Sequence, residues 1–538
     1  MVLAVDGFIY QKKSWRHIFL FVASLFFYFK TSGTFFLLLL FTITIDWVLG
    51  IRISKTDNPK KKKWLLAISV VSNLLVLCYF KYAYFFTDSY NTLFNTEYHV
   101  VNWLAQWSNS FFGSAFDAGK IILPVGVSFY TFQSISYTVE VYRGNLQPLK
   151  RLTDYGFYVS FFPQLVAGPI VKATEFIPQM FRPYVLSRSM LGLGLFWILN
   201  GLVKKIFLAD YIAVNFIDRI FKNPEMYSGF ENLVALYGYS LQVYADFSGY
   251  TDIAIGVALL MGFSLSANFN SPYKATDLSD FWRRWHISLS SWLREYLYIP
   301  LGGNKAGSKA TWIAVLVIVG FLTLLSGSWI VLWIALSSIA FLLTVAYFFK
   351  PFAHWLITNV NVMITMLIGG LWHGASWNFV IWGALNGIGL VFSKLWKKIS
   401  PWKNKNKWYV RAWMIFLTFN FITLTRIWFR AGTGTTWEDF EAAHDAEKEK
   451  DIAQVILSKI TSIEWHLAPE VIVGYWNIIL VIVLGMVIHW LPSSFKEKYR
   501  NYFSNLPIWM LISAILITII FIYQVLMADL HPFIYFQF

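Results

Sequence analysis

Cysteine and charge are both scarce in this chain of 538 residues. The single cysteine, Cys78, excludes a disulfide within the chain and argues against a thiol-based catalytic or metal site. Charged residues make up 14% of the chain, where soluble domains carry about a quarter. Acidic residues are the scarcer sign, 29 against 44 basic ones, leaving a formal net charge of +15. The N-terminus lacks the small-residue cleavage site of a secretory signal, so the first helix is expected to stay. No HExxH pattern, no internal repeat and no acidic motif in a sugar-nucleotide fold is found. These absences count against a zinc hydrolase, a repeat-built transporter and a glycosyltransferase, in that order.

What is present is apolar surface. The chain is 57% hydrophobic and 20% aromatic. Runs at 35–50, 64–86, 190–207, 331–349, 471–491 and 508–526 are near membrane-spanning length and recur from end to end. A β-barrel would show short alternating segments instead. The expectation is an all-α polytopic membrane protein with eleven to thirteen spanning helices, plus re-entrant or interfacial ones. Basic residues cluster in short loops, at Lys12, Lys13 and Arg16, at Lys60 to Lys63, from Lys397 to Lys407, and at Lys496, Lys498 and Arg500. The positive-inside rule places these loops and the N-terminus in the cytoplasm and explains the charge without nucleic acid.

Three regions are expected: N-terminal spanning helices at 1–120, a polar core at 121–396, and C-terminal helices at 397–538 with a solvated loop at about 431–469. The N-terminal helices read as chemically quiet, with Asp46 a structural partner. The core is rich in glycine, proline and polar groups at membrane depth, which is tolerated only inside protein or beside water. Pro124, Pro163, Pro169 and Pro300 should break or end helices there.

Within that core, His373 lies in IGGLWHGASWNFVIWGALNGIGLVF, a charge-free run long enough to span a bilayer. An imidazole there must be hydrogen-bonded, line a wet cavity or do chemistry. Gly370 and Gly374, and again Gly383 and Gly387, are spaced for close helix approach, and Asn378 adds polarity. A second histidine, His286, lies in DFWRRWHISLSSWLREYLYIPLGG. Helical spacing gives this segment a stripe of Trp282, Trp285, Leu289, Trp292 and Tyr296, as for an amphipathic helix at the interface. The other reading is a re-entrant segment carrying His286, with Arg283 and Arg284 as donors to a phosphate or carboxylate. Asp246 and Asp252 share an apolar helix on different faces. One of them would orient a histidine or arginine, the other cap a break at Gly249, or both would serve a proton relay. Gln133 reads as cavity wall, and Lys204 and Lys205 as snorkelling at a helix end. Two histidines make a poor zinc set, so no metal is expected.

The strings LPVGVSFYTFQSISY, FFPQLVAGPI, YADFSGYTDIAIGVALLMGF, ANFNSPYKATDLSDFWRRWHISLSSWLREYLYIPLGGN and LIGGLWHGASWNFVIWGALNG cover much of 123–387. Together they resemble the membrane-bound O-acyltransferase (MBOAT) family, within it the alginate O-acetylation and teichoic-acid D-alanylation branches. The resemblance implies a helical ring around a thin centre with a tunnel, and acyl transfer to a hydroxyl. It maps the family's WHG histidine onto His373 and its second histidine onto His286. It further implies a cytoplasmic thioester donor, acetyl-CoA or an acyl-carrier protein, and no tightly bound cofactor. An exported polysaccharide acceptor, an extracytoplasmic esterase-like partner and a bacterial inner membrane complete that picture. His373 would act as general base and His286 would orient the donor acyl group. The chain departs from the family in a longer connection before the His373 run, with apolar runs at 312–325 and 331–349 that read as an added helix pair. The rival reading is a proton-coupled transporter of a cell-envelope substrate using Asp246, Asp252, His286 and His373.

Overall fold

The computed structural model describes residues 2–113, 117–304, 307–402, 407–433 and 446–526. Among these the chain is helical, with no strand. Part of the polar loop expected at 431–469 lies outside the described residues, at 434–445.

After a short helix at Val2–Ile9 come α1 (Lys13–Ser32) and α2 (Phe36–Lys55), 20 residues each. At about 1.5 Å per residue each just crosses a bilayer core. Gly33 separates them with φ 57° and ψ −134°, a conformation open to glycine. α3 (Pro59–Leu77) starts where Asn58 accepts from the Lys60 and Lys61 amides and Pro59 takes a position needing no donor. A single π-helical stretch, Cys78–Tyr82, joins it to α4 (Ala83–Phe94). α5 is Val127–Arg143, preceded by Pro124 and a left-handed Gly126. Asp46 in α2 is buried and accepts from Ser69 Oγ (2.6 Å) and Asn73 Nδ2 (2.8 Å) of α3, and Ser69 Oγ also lies 2.9 Å from Thr138 Oγ1 of α5. The carboxylate thus ties three helices together, the structural role expected for it.

α6 (Arg188–Leu202) packs along α7 (Gly229–Leu260), a helix of 32 residues opened by a Ser228–Glu231 capping box. Their contact is held by small residues: a Cβ on Gly201 would meet Gly249 O at 2.4 Å, and one on Gly256 would meet Gly194 O at 2.5 Å. The helix runs straight through Gly249, where a break was expected.

The 280–303 segment departs from the amphipathic-helix expectation. α8 (Leu278–Arg284) ends at an extended Trp285, His286 turns left-handed, and α9 (Ile287–Leu293) begins anew. The helical stripe is therefore interrupted at its centre. Trp285, Leu289 and Trp292 are buried in the core rather than lying at headgroup level. α10 (Lys309–Ser326) and α11 (Trp329–Phe348) are the helices of the apolar runs at 312–325 and 331–349. Phe321 of α10 packs on Phe85 and Phe86 of α4 at 5.9 and 5.4 Å, while α11 has no buried residue. A charge-free, mostly apolar helix with no interior face suits lipid contact. α12 (Lys350–His373), α13 (Trp377–Ile399) and α14 (Trp408–Gly432) complete the part that frames the site.

Seven helical stretches among the described residues are long and apolar enough to cross a membrane, nine if each of two bent pairs counts as one span.

Candidate active site

The site forms where α12 ends. α12 and α13 cross at their glycines: a Cβ on Gly370 would lie 2.4 Å from Phe379 O, and one on Gly383 would lie 2.6 Å from Met366 O. At Gly374 the chain leaves the helix in extended conformation, and a Cβ there would lie 2.0 Å from the Phe379 ring. That turn puts His373, the last residue of α12, inside the protein at 4% exposure. Its ring centroid is 5.1 Å from Trp372, 5.1 Å from Trp382 of α13 and 5.4 Å from Phe429 of α14.

His286 comes from the break between α8 and α9. It is a non-glycine residue at φ 42° and ψ 56° and is fully buried. Such a backbone costs energy of order 1–3 kcal/mol and persists only where its surroundings enforce it. Asn268 does so. Its Oδ1 accepts from the Ser288 amide (3.0 Å) and Ser288 Oγ (3.0 Å) and faces His286 Nδ1 at 3.2 Å. Because the Ser288 amide can only donate, that Asn268 atom is the oxygen, so Nδ1 of His286 carries the proton toward it. The imidazole is thereby set with Nδ1 as donor and Nε2 as the basic nitrogen. Its ring lies 4.6 Å from Phe247 of α7 and 5.8 Å from Trp372. The two histidines, 87 positions apart in sequence, therefore meet around one indole.

The other expected site residues are placed as follows. Gln133 is buried on α5 next to Phe132, which stacks on Trp292 at 3.7 Å and reaches Trp372 at 5.7 Å. Asn378 is buried in the first turn of α13, one residue before the Phe379 that walls Gly374. Both therefore sit on elements that touch the Trp372–His373 corner. Asp246 neighbours Phe247 in sequence, but its carboxylate pairs with Lys205 at 2.6 Å. Arg284 pairs with Asp280 at 2.9 Å, and the exposed Arg283 donates to Ser279 O, so neither arginine converges with His373. Lys204 and Lys205 do not snorkel. Lys204 binds Asp252 at 2.7 Å, and Lys205 binds both Asp210 (2.7 Å) and Asp246, so two aspartates read as facing apart are both held by lysines of the next helix. Among the described residues no three His, Cys, Asp or Glu side chains are grouped to hold a metal.

Comparison with known proteins decides the class. The profile of the MBOAT, membrane-bound O-acyltransferase family, matches residues 63–349. The chain is 33% identical over 441 residues to a peptidoglycan O-acetyltransferase of Helicobacter pylori, covering 77% of this chain and 71% of that one. It is 34% identical over 435 residues to a probable alginate O-acetylase of Pseudomonas aeruginosa, covering 79% and 71%. A teichoic acid D-alanyltransferase of Bacillus subtilis matches at 27% over 313 residues, covering 56% and 67%. This chain belongs to the membrane-bound O-acyltransferase family. It is a multi-pass membrane acyltransferase. The family match includes His286 and ends before His373.

Sequence reasoning missed two members of this acyltransferase's site. Lys81, in the π-helical stretch, donates to the carbonyls of Trp372 (2.6 Å) and His373 (3.1 Å). The signal was there: a lone lysine inside the apolar run 64–86 is as costly as His373 in its own. Asn268 gave no signal, because a loop asparagine has no pattern that announces its partner.

Proposed function

We propose that this chain moves an acyl group, acetyl by analogy with its O-acetylating relatives, from a cytoplasmic thioester to a hydroxyl of an exported cell-envelope polysaccharide. His373 is the general base. It takes the acceptor's hydroxyl proton as the oxygen attacks the thioester carbonyl. When the tetrahedral intermediate collapses, the carbon–sulfur bond breaks and the proton goes from the imidazolium to the departing thiolate. The ester and a free thiol result, and no nucleophile on this chain is consumed. His286, held by Asn268, orients the donor acyl group. The donor is acetyl-CoA or an acyl-carrier thioester, with no resident cofactor. An extracytoplasmic esterase-like protein receives or relays the acyl group, and the setting is a bacterial inner membrane.

The observation that carries this reading is the meeting of two buried imidazoles at Trp372 on broken backbone. Sidedness supports it. α12 is 24 residues long, so His373 lies about 35 Å from Lys350. α13 runs back from the site to Lys397 and Lys398, and α14 starts after Lys407 and reaches the site at Phe429. Lys350, Lys397, Lys398 and Lys407 all lie at helix ends away from His373, while the α14 end that reaches the site carries Arg430, paired with Asp218. By the positive-inside rule the histidine is then near the outer face, where an exported acceptor arrives. The transporter reading loses ground because Asp246 and Asp252 are engaged by lysines.

The test is H373A in a producing strain, with the chain's membrane level measured. Loss of polymer O-ester is expected; unchanged ester content would sink the assignment. Near-normal transfer by H286A would leave that histidine a structural role only.

A further inference from the structure

We infer that Lys81 is a positioning residue for the reaction: its ammonium fixes the end of α12 and with it the His373 ring. This rests on the reading of His373 as base.

An α-helix ends with carbonyls that lack intrahelical partners. Many helices meet this need with a left-handed glycine whose own amide folds back. α12 does not, because Gly374 leaves in extended conformation. The need is met from elsewhere. Tyr82 Oη donates to Leu371 O, and Lys81 Nζ donates to Trp372 O at 2.6 Å and to His373 O at 3.1 Å. Two adjacent residues thus hold three successive carbonyls, the last belonging to the histidine itself.

The local fold explains how two neighbours reach one helix end. They lie in the π-helical stretch Cys78–Tyr82, where the wider turn re-aims side chains that a regular α-helix would send apart. Lys81 Nζ also lies 6.0 Å from the Trp372 ring centroid, so the same ammonium touches the indole shared by both histidines.

A neutral donor would satisfy those carbonyls at lower cost. A charged amine among apolar helices is expensive and, where found, marks function more often than packing. A cation at a helix C-terminus faces the negative end of the dipole, which favours Lys81 where it sits, at the end of α12 beside His373. It also means that the N-terminal helices, read from sequence as chemically quiet, contribute to the site.

The test uses the full chain in a producing strain, reading O-ester content of the exported polymer per chain in the membrane, with the unfolding midpoint of each variant in detergent. K81M should lose about tenfold or more of the ester content at unchanged membrane level, a larger loss than its fall in midpoint accounts for, and K81R should recover to within about threefold of the parent. K81Q, a shorter neutral donor, stands in if the methionine chain does not accumulate. Ester content within about twofold of the parent for the neutral variant overturns the inference. So does a loss that follows the unfolding midpoint, or one that arginine does not repair. H373A is run beside them: ester content at the parent's level there overturns the base reading first, and Lys81's role with it.

Discussion

His286 and His373 share one neighbour, the indole of Trp372, at ring-centroid distances of 5.8 and 5.1 Å. Neither histidine is on the same helix as the other, and each stands where regular helix stops. One is the left-handed residue between two short helices; the other is the last residue of a long one. Trp372 is also met by Phe129 and Phe132 of α5. Three separate stretches of chain therefore converge on a single ring.

Truncating that ring should cost both stability and chemistry. Trp372 is 4% exposed, and removing a buried aromatic side chain costs about 3–5 kcal/mol. W372A is expected to lower the unfolding midpoint and abolish transfer. W372F, which keeps a ring between the histidines, should retain measurable activity. Equal activity in both variants would show that the indole does not set the histidines' geometry.

Asn268 makes a sharper case because its role depends on one oxygen. N268A removes the acceptor for the Ser288 amide and hydroxyl and for His286 Nδ1. Leaving buried donors unpaired costs about 1–3 kcal/mol each. N268D keeps the oxygen and should fold better than N268A. If transfer and midpoint are the same in the two variants, the oxygen is not what holds His286.

Much of this was legible in the sequence. Apolar runs gave the helical class, and the glycine pairs at 370/374 and 383/387 announced the α12–α13 crossing, where Gly370 and Gly383 face the backbone of the other helix. His373 stood out because an imidazole in a charge-free run needs a reason. The 280–303 segment misled for a physical cause. Its tryptophans repeat with helical spacing, but the Asn268 side chain, from another loop, supplies the hydrogen bonds that break the helix at His286. Side-chain capping from a distant loop leaves no periodic trace. The lysine–aspartate pairs were hidden in the same way: spacing on one helix says nothing of what the next helix carries.

Those pairs can be tested as pairs. Lys204 and Asp252 meet at 2.7 Å with 21% and 10% side-chain exposure. Removing one partner of a buried pair costs about 3–5 kcal/mol, because the other charge is left behind. K204M and D252N should each lower the unfolding midpoint, and the double variant should be closer to the parent than either. A double variant that adds the two losses would mean that the groups act independently. Transfer activity in the double variant should survive, since neither group reaches the histidines; its loss would revive a relay through α7.

The sidedness of the site gives the last prediction. Cys78 is the single native cysteine, so a C78A chain offers a blank background for thiol labelling. In that background Lys398→Cys lies at the end of α13 away from the site, and Tyr98→Cys lies in the exposed connection after α4. On the proposed orientation, Lys398 faces the cytoplasm. α3 and α4 run in the same sense as α12, since Lys81 meets the end of α12 far along from Lys60, so Tyr98 belongs on the outer side. A membrane-impermeant maleimide on intact cells with a permeable outer envelope should label Tyr98→Cys and spare Lys398→Cys, and inside-out vesicles should reverse the pattern. Labelling of Lys398→Cys from outside would place His373 on the cytoplasmic side. The acceptor would then have to be modified before export rather than after.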